Sequence, residues 1–252
     1  MKKILVYPIG ISKACQYASD FLVSCGICTV DHPTPEVTHL LLDIPSFGPD
    51  DLLRNGKDPE EYLQMLPPQV MVVGGNLMHP ALAQRRTADF LRDAHYLAKN
   101  AAITADCAMQ VAAPKLTTVW ADTPTLIIGW GRIGKCLADR LQKLGCPVAV
   151  AARNNADRGM LQALGIQAMD ISQIAGILPG TRLLFNTAPE PVLSEEVLSL
   201  CRNCVKIDLA SQPGIAGDDV IQARGLPGLH APESSGKLIA DTFLRLCKEA
   251  DI

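Results

Sequence analysis

The sequence of 252 residues lacks the features that mark several special classes of protein. It has no excess of basic residues, since its formal net charge is −3, and this argues against a nucleic-acid-binding surface. It shows neither a signal peptide nor an apolar stretch of membrane-spanning length, so we expect a protein of the reducing cytosol. It has no internal repeat and no low-complexity tract. Hydrophobic residues make up 48% of the chain, which is enough for a sizeable globular core.

The nine cysteines do not indicate a metal site. Two pairs, Cys25 with Cys28 and Cys201 with Cys204, have the C-x-x-C spacing that zinc sites also use. Both pairs lie in apolar segments that are typical of helix-to-strand transitions. We therefore interpret these cysteines as apolar thiols and predict no bound metal.

The most informative feature that is present is the segment 125–134, with the sequence TLIIGWGRIG. An apolar run of strand composition leads into a G-x-G-x-x-G spacing, and a helical pattern and a second apolar strand follow. This β-α-β order is typical of dinucleotide sites: the first glycine makes the tight turn, the second lets the backbone approach the pyrophosphate, and the third lets helix and strand pack closely. The alternative is a tight turn without a ligand. The residues that we expect at the dinucleotide are Gly129, Trp130, Gly131, Arg132, Ile133 and Gly134.

The end of the second strand favours NADP over NAD. Enzymes that use NAD usually place Asp or Glu there, where the carboxylate accepts a hydrogen bond from the ribose 2′-OH. This sequence has Arg153 and Asn154 at that point, and Arg158 follows. Because a guanidinium can bind a 2′-phosphate through two hydrogen bonds, we predict that Arg153, Asn154 and Arg158 contact NADP. The alternative for Arg153 is a solvated position at the strand end.

The alternation of strands and helices predicts two α/β domains, the second a Rossmann-type, doubly wound parallel sheet, with a C-terminal helix. The predicted bounds are an N-terminal α/β domain over 1–99, a helical connection over 100–123, the dinucleotide-binding domain over 124–232 and the C-terminal helix over 233–252. Among the further helices, we predict one over 81–99, one over 104–113 with Thr104 as its N-cap, and one over 217–224.

Polar residues at the ends of two later strands extend the predicted cofactor site. In a parallel sheet, ligands bind beyond the carboxyl ends of the strands. Asn186 and Thr187 end one strand candidate and suit the nicotinamide ribose or carboxamide; the alternative is an Asx-type turn. Asp208 lies inside the next apolar strand, and it either contacts the cofactor or orients a loop.

The last predicted loop, 225–232, leads into a helix whose start suits an anion. We expect open backbone N–H groups at Ser234 and Ser235, which would bind a carboxylate or phosphate, and Lys237 would add positive charge. The alternative is that one serine only caps the helix. His230 is a candidate proton donor or acceptor, or a structural residue.

Several blocks in order along the chain resemble the A subunit of dipicolinate synthase from spore-forming bacteria. The resemblance covers roughly residues 100–245 well and residues 1–99 only loosely. The blocks are NAAITADCAMQ, GWGRIGKCLADRL, VAVAAR, FNTAPEPVLSEEVL, KIDLASQPG and GLPGLHAPESSGKLIAD.

The resemblance implies a cytoplasmic oxidoreductase of dipicolinic acid biosynthesis in sporulation. It would oxidise dihydrodipicolinate, a small dicarboxylate, to aromatic dipicolinate with NADP as cofactor. The resemblance further implies that its partner is a flavoprotein-like B subunit, and we also expect a homo-oligomer. No His–carboxylate pair marks a catalytic base, so the catalytic group stays unassigned.

Two other functions remain open. One is another two-domain NAD(P)-dependent dehydrogenase of the 2-hydroxy acid type, which needs a catalytic His with an acidic partner; the late histidine His230 has no evident partner of this kind. The other is a non-catalytic subunit that binds NADP.

Overall fold

The structure, a computed structural model, describes residues 4–215 and 217–250 and divides the chain into two compact units. One unit combines the chain up to Asn100 with the chain from Pro227 onward, and the other is Ala101–Leu226. The predicted bounds of the first and last segments extend over residues 1–3, 251 and 252, which lie outside the described residues.

The elements before the glycine fingerprint are, in chain order, β1 (Leu5–Pro8), α1 (Lys13–Ser24), β2 (Cys28–Thr29), β3 (His39–Leu41), α2 (Pro59–Leu63), β4 (Met71–Gly74), β5 (Arg86–Asp89) and α3 (Ala94–Ala112). Short 3-10 turns occupy Pro80–Leu82, Phe90–Arg92, Ala113–Lys115 and Trp120–Asp122.

The elements from the fingerprint onward are β6 (Thr125–Ile128), α4 (Arg132–Lys143), β7 (Val148–Ala151), α5 (Asn155–Ala163), β8 (Gln167–Met169), β9 (Leu183–Asn186), α6 (Glu195–Leu198), β10 (Val205–Asp208), β11 (Val220–Gln222), α7 (Leu226–His230) and α8 (Pro232–Ala250). Two 3-10 segments, Ile171–Gly176 and Leu178–Gly180, lie between β8 and β9.

The first unit is an α/β domain built on a five-stranded parallel sheet of order β2-β1-β3-β4-β5. Helix α8 packs against α1 in this unit, so the predicted C-terminal helix belongs to the first unit. The two helices approach closely at Gly236, where an added Cβ would lie 2.7 Å from the carbonyl oxygen of Ala14 and 2.8 Å from the nitrogen of Ala18. Only a glycine fits this crossing without movement of the α1 backbone.

The second unit is a Rossmann-type domain with a six-stranded parallel sheet of order β11-β10-β9-β6-β7-β8. The order reverses direction between β6 and β9, and a doubly wound sheet binds its ligand at the carboxyl ends of the strands at such a reversal. Both strands are fully buried, which explains why their sequences, TLII and LLFN, read as continuous runs. The predicted fold class of two α/β domains, the second Rossmann-type, is confirmed.

Three predicted helices differ from the structure, two of them only in part. Within 81–99, residues Arg86–Asp89 form the edge strand β5, which gains its backbone partners from β4. The helix expected to begin at Thr104 is the second half of the continuous α3, so Thr104 is not an N-cap. Within 217–224, residues Val220–Gln222 form β11, paired with β10. In both strands, pairing with a distant segment overrides the local pattern.

Among the described residues, no helix combines the length and the apolar character needed to cross a bilayer.

Candidate functional site

The glycine loop between β6 and α4 has the geometry that its sequence predicts. Gly129 has φ 99°, in the left-handed region, and its N–H donates to the carbonyl of Ala151 at 2.9 Å. A Cβ on Gly129 would lie 2.5 Å from Thr187 Oγ1, and a Cβ on Gly134 would overlap the carbonyl oxygen of Gly129. The first and third glycines are therefore required by the turn and by the approach of helix to strand.

Gly131 faces open space, in contrast to the other two glycines. A Cβ built on it would meet nothing within 4 Å, and the residue is the N-cap of α4 without a side chain to cap that helix. The first-turn N–H groups of α4 are thus left for an anion, which fits a dinucleotide pyrophosphate. Beside the loop, the Nζ of Lys135 lies 5.8 Å from the ring centroid of Trp130. Arg132 is exposed and Ile133 is half-buried.

The end of β7 carries the three residues predicted to recognise NADP, and they differ in their surroundings. Arg158 is fixed: its Nη1 donates at 2.7 Å to the carbonyls of Ala152 and Arg153 and to Asp170 Oδ2. Asn154 is the N-cap of α5, since its Oδ1 accepts from the nitrogen of Ala156 at 2.8 Å. The side chain of Arg153 is 67% exposed and therefore reaches solvent. Contact of these residues with a cofactor stays a prediction.

Two carboxylates at this edge were missed by the sequence reasoning. Asp170 anchors Arg158, and hydrogen bonds from Ser172 hold the pKa of Asp170 below its usual value. Glu190, from the loop after β9, pairs with Arg153, with 2.6 Å between Nη1 and Oε2. The available signal for Asp170 was its position at the end of β8, the neighbouring strand; Glu190 lies 37 residues from its partner, and no local pattern connects them.

Asn186 and Asp208 form a buried hydrogen-bonded pair at the carboxyl ends of β9 and β10. Both are fully buried, and Asn186 Nδ2 donates to Asp208 Oδ1 at 2.8 Å. The carboxylate also accepts from the nitrogens of Ala210, Gly214 and Ile215, at 3.1, 2.8 and 3.1 Å. The structure thus shows Asp208 orienting a loop, which was one of its two interpretations. Direct contact of either residue with the cofactor stays a prediction.

Thr187 packs against the glycine loop and bonds to the strand that precedes it. Its Oγ1 donates to the carbonyl of Ile128 at 2.9 Å, and its N–H donates to the same oxygen at 2.8 Å. Because Gly129 lies directly against this hydroxyl, Thr187 sets the position of the loop. A contact with the nicotinamide end stays a prediction.

The residues predicted for substrate binding lie in the first unit, around the start of α8. Residues Leu226–His230 form helix α7, which corrects the predicted loop, and Ser235 N–H donates to the carbonyl of Ala231 at 3.0 Å. The prediction of an open N–H group at Ser235 is therefore wrong, because the backbone is already helical there. Ser234 and His230 are exposed, and Lys237 pairs with Asp241 at 2.8 Å. Their contact with a substrate stays a prediction.

The chain is similar in sequence and in fold to known proteins. No protein-family model matches the chain. Over 132 residues, 49% of this chain and 44% of the other protein, the sequence is 29% identical to the A subunit of dipicolinate synthase from Bacillus subtilis (strain 168). Crystal structures of the dipicolinate synthase A subunits from Bacillus halodurans and Bacillus subtilis superpose with TM-scores of 0.81 and 0.82, at 21% and 18% identity. The chain thus resembles dipicolinate synthase A subunits in sequence over about half of its length and in fold over nearly all of it.

The two dipicolinate synthase structures are covered almost completely. The superpositions include 98% and 99% of this chain, and 98% and 97% of the respective crystal structures. The sequence match, in contrast, spans less than half of the matched Bacillus subtilis protein, at 44% of its length. At these identities the solved structures show the fold of this chain.

Proposed function

We propose that this chain is an NADP-dependent oxidoreductase that converts dihydrodipicolinate to dipicolinate. The observation that carries the proposal is the space at Gly131, which leaves the first turn of α4 open at the reversal of a Rossmann sheet. This is where a nicotinamide dinucleotide places its pyrophosphate. The names of the relatives supply the product, dipicolinate.

The preference for NADP rests on Arg153. It is exposed at the end of β7, where enzymes specific for NAD usually carry an acid. A planar guanidinium in that place can donate two hydrogen bonds to a 2′-phosphate and offset its negative charge. NADP, when bound, supplies the hydride acceptor.

The reaction demands little of the protein beyond binding and orientation. The dihydropyridine ring loses a hydride to the nicotinamide and a proton to a base, and the gain of aromaticity drives the step. In this proposal Ser234, Ser235, Lys237 and His230 provide the polar contacts of the substrate dicarboxylate. Lys237 can do so only by leaving Asp241, which costs little because both side chains are more than half exposed.

The proposal extends to a partner and a setting. The relatives are named as one of the subunits of a synthase, which implies a second, and we propose a flavoprotein-like protein in that role. We further propose a homo-oligomeric, cytoplasmic protein that serves dipicolinic acid formation in sporulation.

The test is the formation of dipicolinate, followed by its ultraviolet absorbance. The purified chain receives NADP and freshly generated dihydrodipicolinate, with and without the flavoprotein-like partner. Appearance of dipicolinate above the spontaneous rate, with one NADPH per product, is the expected result. Binding of NADP without product in either condition would overturn the synthase activity and leave a protein that only binds the cofactor or a dehydrogenase for other acids.

Cofactor choice is tested with Arg153→Asp, and Arg202→Asp at another exposed position serves as the matched control. We expect the Arg153 variant to lose affinity for NADP and to gain affinity for NAD relative to the wild type. The control should keep the wild-type ratio. Equal ratios in all three proteins would contradict the assignment of the 2′-phosphate to Arg153.

A further inference from the structure

Glu190 competes for the cation that is proposed to bind NADP. Its Oε2 lies 2.6 Å from Arg153 Nη1, and the two side chains are 59% and 67% exposed. An exposed ion pair of this kind contributes little to stability. It does, however, place a carboxylate against the guanidinium that is proposed to bind the 2′-phosphate, so Glu190 and the phosphate would compete for Arg153.

The position of Glu190 is fixed by the loop that carries it. On one side, Asn186 Nδ2 donates to the carbonyl of Ala188 at 3.0 Å, and the nitrogen of Ala188 donates to Asn186 Oδ1 at 3.1 Å. On the other side, the nitrogen of Val192 donates to the carbonyl of Gly214 at 3.0 Å. Gly214 is itself held by the buried Asp208. The backbone on both sides of Glu190 is therefore anchored to the core of the sheet.

The backbone of Arg153 is anchored as well. Its carbonyl accepts from Arg158 Nη1 at 2.7 Å, and Asp170 holds the same nitrogen of Arg158 at 2.7 Å. Only the two side chains of the pair extend into solvent. A ligand can therefore replace Glu190 as the partner of Arg153 without disturbing the sheet. The carboxylate of Glu190 then stays close to the ligand, because its backbone is anchored.

We propose that Glu190 is a specificity-determining residue that sets the ratio of NADP to NAD affinity. This inference rests on the proposed function, since it concerns the same cofactor site. When NADP binds, the carboxylate of Glu190 must release Arg153. It then repels the 2′-phosphate, because two negative charges close together are unfavourable. With NAD, the same carboxylate is available to accept hydrogen bonds from the ribose hydroxyls, which is the role of the acid that β7 itself lacks.

The experiment measures dissociation constants of NADPH and NADH for the whole chain by titration calorimetry. The variants are Glu190→Gln and, as matched control at another exposed glutamate, Glu195→Gln. We expect Glu190→Gln to raise the preference for NADPH by about two- to fivefold, the range of an exposed ion pair. The change should shrink as salt is added, because exposed charges are screened. The control should keep the wild-type preference.

A second background shows whether the effect passes through Arg153. In an Arg153→Gln protein, Glu190→Gln should change the preference for NADPH less than it does in the wild type, because the guanidinium for which Glu190 and the 2′-phosphate compete is absent. An equal change in both backgrounds would overturn the competition.

The outcomes separate this inference from the proposed reaction. A wild-type chain that binds neither cofactor overturns both. Binding of both cofactors with an unchanged ratio in Glu190→Gln, or an equal shift in Glu195→Gln, overturns the role of Glu190 alone. A shifted ratio in a protein that forms no dipicolinate supports Glu190 and overturns the reaction.

Discussion

Asp208→Asn should strongly destabilise the second unit although it changes a single atom. The carboxylate is fully buried and accepts four hydrogen bonds, two at each oxygen. Oδ1 accepts from Asn186 and Ala210, and Oδ2 accepts from Gly214 and Ile215. An amide keeps one oxygen and replaces the other by NH2. Whichever way it turns, its NH2 group faces two donors that have lost their acceptor.

The expected loss follows from those two donors. A buried donor without a partner costs about 1–3 kcal/mol, so the loss of the acceptor for two donors should lower the free energy of unfolding by about 2–6 kcal/mol. Asp139→Asn is the control in the same unit: it removes an exposed pair with Lys143 on α4 and should cost about 0.5 kcal/mol at most.

The assay is urea unfolding followed by tryptophan fluorescence. Both tryptophans of the chain, Trp120 and Trp130, lie in the second unit and therefore report on it. A loss in Asp208→Asn no larger than that in Asp139→Asn would refute the reasoning, because the four hydrogen bonds would then carry no net stability.

Three further predictions concern the remaining features. Gly131→Val should abolish NADP binding, measured by calorimetry, while the unfolding transition stays at its wild-type position, because the new side chain enters only open space; retained binding in the folded variant would contradict the placement of the pyrophosphate. Gly236→Ala should lower the free energy of unfolding by about 1–3 kcal/mol, because its Cβ would collide with the backbone of α1. The control Gly228→Ala should not, since a Cβ at that position meets nothing within 4 Å. Denaturation followed by circular dichroism measures both. Burial and the charge of Arg86 lower the pKa of His39 to about 4 from 6.5, so the folded state holds it neutral and stability should fall as the pH drops from 6.5 towards 4. Thermal melts across that range should show a weaker decline in His39→Phe and an unchanged decline in the exposed control His32→Phe.

The glycine loop could be predicted because its constraints are local. A positive φ at Gly129, space at Gly131 and a close approach at Gly134 are each properties of one residue and its immediate neighbours. The strands β6 and β9 could be predicted for a similar reason, since strands buried on both faces appear as largely apolar runs.

The features that the sequence did not predict depend on distant partners. Arg86–Asp89 has the composition of an exposed helix, and only β4 makes it a strand. Val220–Gln222 becomes a strand through β10. Arg153 and Glu190 lie 37 residues apart, so their pairing depends on the order of the strands in the sheet and not on spacing. The proposed recognition of the adenosine ribose would thus depend on the assembled sheet.

The return of α8 to the first unit has a consequence for biosynthesis. Residues 101–226 leave the ribosome before α8 does, so the second unit can complete its sheet while α1 still lacks the helix against which it packs. The apolar side chains Leu238, Ile239 and Phe243, which are buried in the folded protein, are made after the whole second unit. At ordinary rates of translation, α1 therefore waits on the order of ten seconds with its apolar face uncovered. For that interval the nascent first unit exposes apolar surface of the kind that chaperones bind.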